Sequence, residues 1–261
     1  AYHREASRLE SLKNITERYD GYGNSIRRVM EQKNREPGIK GVVADIIHVQ
    51  KDYEVAIETA LGGSIQNIVT DNEQTAKRMI GFLKKNRFGR ATFLPLSNIS
   101  GRGGLNQRDV LSEPGVVGTA NTLVNADKEY SELVMYLLGR VLVVDNIDHA
   151  IAIGKKYRHS LRMVTIEGEP LSPGGSMTGG AFKNNSNLLG RRREIEELER
   201  SVGILRKELE ETQKSIGENR SRRNVLRDTI ADFQQKLRQQ YVEQNTAKMN
   251  LEQLKEKEGE I

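Results

Sequence analysis

The chain has 261 residues, 36% of them hydrophobic and 30% charged, with five Phe and no Trp. That is lean for a wholly globular protein and reserves part of the chain for exposed helix. A net charge of +5 suits an anionic partner such as nucleic acid without requiring one, and the absence of Cys excludes disulfides, thiol nucleophiles and Cys-based zinc sites.

A chain without cysteine fits a reducing compartment. No apolar run approaches the ~20 residues that span a bilayer, and no signal peptide opens the chain. The sequence starts at Ala-Tyr-His and stops within a helical pattern, so we read it as a piece of something longer.

Residues 1–21 read as a helix. Leu9, Leu12, Thr16 and Tyr19 keep a three-four spacing, and Gly21 and Gly23 end it. Residues 22–186 hold the turns, prolines and short apolar runs of a folded domain, and they contain a duplication. Pro37, Gly38, Gly41, Tyr53, Leu61 and Gly62 match Pro114, Gly115, Gly118, Tyr130, Leu138 and Gly139 at a constant offset of 77. Val69, Asp71, Asn72 and Ala76 then match Val143, Asp145, Asn146 and Ala150 at an offset of 74. Such self-similarity predicts two related subdomains, about 37–96 and 114–167.

Each half predicts the same order of elements. A β-branched run (Val42–Val49, weaker at Thr119–Val124) leads into a helix that carries Tyr53, Ile57, Ala60 and Leu61 in the first half. A short strand follows (Ile65–Thr70; Val141–Asp145), then a second helix (Ala76, Ile80 and Leu83; about Ile147–Tyr157) and a last strand (Ala91–Leu94; Arg162–Ile166). Alternating strands and helices give an α/β (α+β) domain with mixed sheets covered by helices.

Residues 187–261 read as one long helix. From Ile195 the alternating three- and four-residue steps reach Leu198, Val202, Leu205, Leu209, Ile216, Leu226, Ile230, Phe233, Leu237, Leu251 and Leu254 in unbroken register. A 3.5-residue repeat makes a narrow stripe that only another helix can bury. The seam is roughly 90 Å long. Thr212, Asn219 and Arg223 make a softer stretch within it. The first helix pairs naturally, and antiparallel, with the start of this one; most of the long helix lacks its partner in this chain.

Chemistry is hard to find. "LSPGGSMTGG" at 171–180 places Gly174, Gly175, Gly179 and Gly180 within seven residues, yet it lacks the lysine of a P-loop and the spacing of a dinucleotide fingerprint. His3, His48, His149 and His159 are scattered without ligand spacing, and no nucleophile–base arrangement stands out. The sequence argues for neither catalytic nor metal-ligating residues, and for no enzyme.

Charge says more. No acidic residue lies between Glu73 and Asp109, a stretch that holds Lys84, Lys85, Arg87 and Arg90. A second acid-free stretch, from Pro170 to Arg193, holds Lys183, Arg191, Arg192 and Arg193. Clusters like these line a phosphate backbone without reading bases, or else form a solvated basic face. Basic and aromatic residues do not interleave, which argues against base stacking.

A folded domain with a coiled-coil helix entering and another leaving is a cap on an antiparallel coil. With "PGIKGVVADII", "ALGGSIQNIVTDN", "GRATFLPL", "LLGRVLVVDN" and "LSPGGSMTGG", residues 22–186 resemble the hinge of an SMC (structural maintenance of chromosomes) protein of the bacterial type. The resemblance implies a homodimer whose contacts include Gly174, Gly175, Gly179 and Gly180, closing a two-fold ring. An intramolecular turn is the plainer explanation of the same glycines. It also implies weak, non-specific binding of single- or double-stranded DNA, with Lys84, Lys85, Arg87, Arg90, Lys183, Arg191, Arg192 and Arg193 as the expected contacts. The larger context would be an ATP-driven chromosome condensation and segregation machine in the cytoplasm, on the nucleoid. Its ATP and magnesium would sit in head domains absent from this chain, where accessory subunits also bind; this piece needs no cofactor and no membrane. A stand-alone nucleic-acid-binding α/β domain on a coiled-coil oligomer is the rival reading.

Overall fold

The computed structural model describes residues 1–101, 103–181 and 187–259. In chain order the helices are α1 (Tyr2–Glu17), α2 (Asn24–Met30), α3 (Val43–Ile46), α4 (Glu54–Leu61), α5 (Glu73–Asn86), α6 (Ser131–Leu138), α7 (Ile147–Lys156) and α8 (Leu188–Gly259). The strands are β1 (Ile39–Val42), β2 (His48–Val49), β3 (Ile68–Thr70), β4 (Phe93–Pro95), β5 (Val116–Thr119), β6 (Val124–Asn125), β7 (Val141–Val144), β8 (Arg162–Thr165) and β9 (Pro170–Leu171).

The duplication is visible in the sheets. The first half has strand order β1-β3-β4 and the second β5-β7-β8-β9. In each, the first pair is antiparallel with an irregularity at a glycine (Ile39/Gly41; Val116/Gly118), and the next pair is parallel. Strands β2 and β6 pair with each other, His48 opposite Asn125. Those two positions are also equivalent by the offset of 77, so the halves join about a local two-fold axis. The equivalent helices α4 and α6 meet across the same axis.

The matching residues have physical reasons. Asn72 and Asn146 cap α5 and α7: the Asn72 side chain accepts from the backbone N–H groups of Gln74 and Thr75, that of Asn146 from His149. Gly38 and Gly115 lie where the chain passes over those caps. A Cβ on Gly38 would fall 2.4 Å from Thr75 Oγ1, and one on Gly115 2.3 Å from His149 Nδ1, so neither site accepts a side chain unless its neighbours move.

Two expected strands break up. The apolar run 42–49 contains the helix α3, and 119–124 contains a single 3-10 turn at Ala120–Leu123. Val43, Ala44 and Ile46 are all buried, and a run buried on every side carries no periodicity that separates strand from helix. Helix α2, which no apolar spacing announced, buries Ile26, Val29 and Met30 against the first half.

The core is one large cluster spanning both halves, plus a smaller one around Leu142, Val144, Ile153 and Met163 in the second. Leu188 and Leu189, the first residues of α8, are buried in the large cluster. The compact unit accordingly extends over His3–Ser201 and takes in most of α1 and the first turns of α8.

Those two helices run antiparallel. The Ser201 hydroxyl donates to Glu5, Arg8 pairs with Glu194, Lys13 lies 2.7 Å from Glu199, and Arg191 Nη1 donates to the Asp20 carbonyl at 2.8 Å. The second unit is the rest of α8 with Ala1–Tyr2. Along it the stripe residues Leu226, Ile230, Phe233 and Leu237 are each more than half exposed.

Candidate dimer and nucleic-acid surfaces

The glycine-rich segment is the outer edge of the second sheet. Strand β9 pairs antiparallel with β8, Leu171 opposite Met163, and the chain then doubles back so that Leu171 also bridges Met177. Ser172 N–H donates to the Ser176 carbonyl at 2.9 Å, Gly175 N–H to Ser172 at 3.0 Å, and Gly174 N–H to the His159 carbonyl at 2.8 Å. Every residue from Ser172 to Ala181 is exposed.

The four glycines differ in why they are glycine. Gly174, Gly175 and Gly180 have φ of +93°, +93° and +126°, which side-chain-bearing residues rarely adopt. The fold of this chain therefore explains those three. Gly179 has no such φ, and a Cβ there would meet nothing nearer than Glu169 Cγ at 3.9 Å. No contact among the described residues accounts for its missing side chain. Met177 stands more than half exposed beside a 190 Å³ apolar cleft lined by Ile151, Leu161, Met163 and Leu171.

The structure divides the expected basic residues into two kinds. Lys84 and Lys85 form the last turn of α5, where cations complement the exposed carbonyl groups. Arg87 ends that helix with φ of +56°, and Arg90 follows. All four are exposed, and none has an ion pair among the described residues. Arg78 of the same stretch is committed to Glu36 at 3.0 Å.

Arg191, Arg192 and Arg193 are instead built into the root of the coil. Arg193 Nε donates to both Glu54 oxygens, at 3.0 and 3.1 Å, and Nη1 donates to Glu197 at 2.8 Å. These partners hold its guanidinium above its ordinary range against the effect of burial. Arg192 lies 3.3 Å from Glu196 without hydrogen-bond geometry. His48 reaches the same Glu196 at 2.8 Å. Lys183 lies outside the described residues.

Acidic groups sit under this root. Burial pushes the Asp45 carboxyl above its usual value, while the Tyr19 hydroxyl donating at 3.1 Å and the Arg192 charge pull it back. Burial also raises Glu58, whose Oε1 accepts from Leu188 N–H at 3.1 Å. Desolvation raises Tyr19 and Tyr22 well above the ordinary phenol. The arrangement anchors the start of α8. Among the described residues no His, Asp or Glu group is placed to hold a metal, and no helix is long and apolar enough to cross a membrane.

Two α/β halves about a local two-fold, with a helix entering beside a helix leaving, define a coil-capping module. The family model for the SMC proteins flexible hinge domain matches residues 36–154. Among solved structures, the SMC hinge domain of Geobacillus stearothermophilus, an asymmetric dimer, superposes with a TM-score of 0.76 at 36% identity, over 82% of this chain and 86% of that one. The Pyrococcus furiosus SMC hinge gives 0.52 at 31% identity, over 71% and 92%. The chain belongs to the SMC hinge family.

It is also similar to two chromosome partition proteins called Smc. That of Bacillus subtilis is 42% identical over 200 residues, and that of Lactiplantibacillus plantarum 41% over 202. These matches cover 75% and 76% of the chain but only 17% of either relative's length.

Proposed function

We propose that this chain joins two coiled-coil arms into a homodimer through its glycine-rich edge. In this reading it serves a chromosome-partition machine whose ATPase heads, with their magnesium and accessory subunits, lie elsewhere in a longer protein, in the cytoplasm on the nucleoid. The observation that carries the reading is Gly179: an exposed glycine two residues beyond the Leu171–Met177 bridge that neither backbone strain nor crowding among the described residues requires. A backbone arriving from a second copy supplies the missing reason, since edge strands pair readily and glycine permits close approach. A two-fold pair of such contacts closes without leaving an open end.

Weak DNA binding without sequence preference is the second part of the proposal. Lys84, Lys85, Arg87 and Arg90, exposed and outside any ion pair among the described residues, are its best-supported contacts. Arg193 supports it least, because its charge is already shared with Glu54 and Glu197.

The deciding experiment is sedimentation of residues 3–201, with the exposed part of α8 removed. A hinge stays dimeric, whereas a domain held together by its coils becomes monomeric. A cut at residue 186 is unsuitable, because it strips Leu188 and Leu189 from the core.

A further inference from the structure

Four side chains of the first half reach the place where α1 ends and α8 begins. The Tyr19 hydroxyl, just beyond α1, donates to Asp45 of α3 at 3.1 Å. His48 of β2 lies 2.8 Å from Glu196. On α4, Glu54 accepts from Arg193, and Glu58 accepts from Leu188 N–H at 3.1 Å. At the offset of 77 the second half carries Thr122, Asn125, Ser131 and Met135 in the places of these four. None of those replacements ionises near neutral pH. The fold common to both halves therefore does not need the acids and the histidine; the joint with the coil does.

The joint is short of partners for charge. Arg192 of α8 and Lys33, which follows α2, are the cations that act on Asp45. Glu58 faces Glu54 on its own helix, the Leu188 and Leu189 N–H groups on α8, and Tyr22 between α1 and α2. Glu58 Oε2 is buried with no hydrogen-bond partner among the described residues. A negative charge on that oxygen is costly, whereas the neutral acid still accepts from Leu188. Burial is the largest influence on both Asp45 and Glu58 and favours their neutral forms; the Tyr19 hydroxyl and the α8 N–H groups oppose it without overcoming it. His48 and Glu196 attract as ions only while the imidazole is protonated, which acts in the same direction.

We propose that these groups make the joint a proton-operated latch: Asp45 and Glu58 hold the root of the coil when neutral and release it as they ionise. A carboxyl raised in the docked state stabilises docking fully below its free value, and that contribution is lost as pH rises through the raised one. The sheets stay closed during release, because no residue of the latch lies in β1-β3-β4 or β5-β7-β8-β9. The latch concerns how the coil is held and is independent of what the glycine-rich edge or the α5 cluster binds.

Deuterium exchange on the full chain tests the latch. After correction for the intrinsic pH dependence of exchange, protection of residues 188–195 should fall about tenfold over a pH series rising from the ordinary carboxylate range of about 4. Protection of β7, in the middle of the second sheet, should hold. Asp45→Asn combined with Glu58→Gln should abolish the fall, since neither amide titrates. Each single variant should remove part of it, and the pair of single variants decides the outcome if the double variant does not fold. Constant protection of residues 188–195 in the wild type overturns the proposal. So does an undiminished fall in both single variants. Loss of protection at β7 in step with the loss at α8 also overturns it, because the whole domain would then be unfolding.

Discussion

Gly179 separates two explanations that the other three glycines confound. Alanine at Gly174, Gly175 or Gly180 would strain the backbone whether or not a partner is present. Gly179→Val should therefore sediment as a folded monomer with an unchanged melting temperature for the isolated fold. A Gly179→Val protein that stays dimeric at micromolar concentration would remove this residue from the contact. The buried acid Asp45 gives a second test at this scale. Its carboxyl is raised, first by burial, so its neutral form favours the folded state. The stability it contributes is complete below the ordinary carboxylate value and is lost as pH rises through the raised one. Asp45→Asn keeps an oxygen for the Tyr19 hydroxyl and does not titrate. Its melting temperature relative to wild type should climb as pH rises above the ordinary carboxylate range of about 4. A difference that is flat or falls with rising pH would show that burial does not control this carboxyl.

Among the elements, the root of α8 is fixed by charges met inside the protein. Glu54 is 6% exposed, and Arg193 reaches it from α8. Removing the cation leaves a carboxylate with little water and no counter-charge. Arg193→Ala should cost about 2–3 kcal/mol in denaturant melts, below the full value for a deeply buried pair because the arginine is partly exposed. Lys84→Ala, on an exposed helix end, should stay within about 0.5 kcal/mol. Equal effects would mean that the Glu54 pair does not anchor the helix. Gly38→Ala offers a comparison at the repeat. The added methyl must displace Thr75 or Asp71, and a cost of about 1–3 kcal/mol is expected.

For the whole molecule the two proposed surfaces respond to different perturbations. Each phosphate neutralised steepens the fall of log affinity with log salt by about 0.9 on duplex DNA and about 0.7 on single strands. Lys84→Glu with Lys85→Glu should flatten that slope and weaken all sequences alike, while the sedimentation coefficient stays that of the dimer. Gel shifts with an unchanged slope would reduce the α5 cluster to a solvated face. Arg193→Gln should leave the slope nearly unchanged, because that charge is already paired with Glu54 and Glu197.

What the sequence determined by itself was whatever repeats locally. The 3.5-residue stripe of α8 was legible because helical spacing is set by neighbours three and four residues away. The duplicated halves were legible because Pro37–Gly62 and Pro114–Gly139 must satisfy the same turns and cap approaches. The tertiary structure alone decided whatever depends on distant partners. Val43–Ile46 reads as strand in the sequence because burial of Val43, Ala44 and Ile46 erases the periodicity that would mark a helix. Arg193 is an anchor because Glu54, far back in the chain, is folded beneath it. Tyr136 and Arg162 line one cleft although they lie far apart in the sequence, because only packing brings distant residues together.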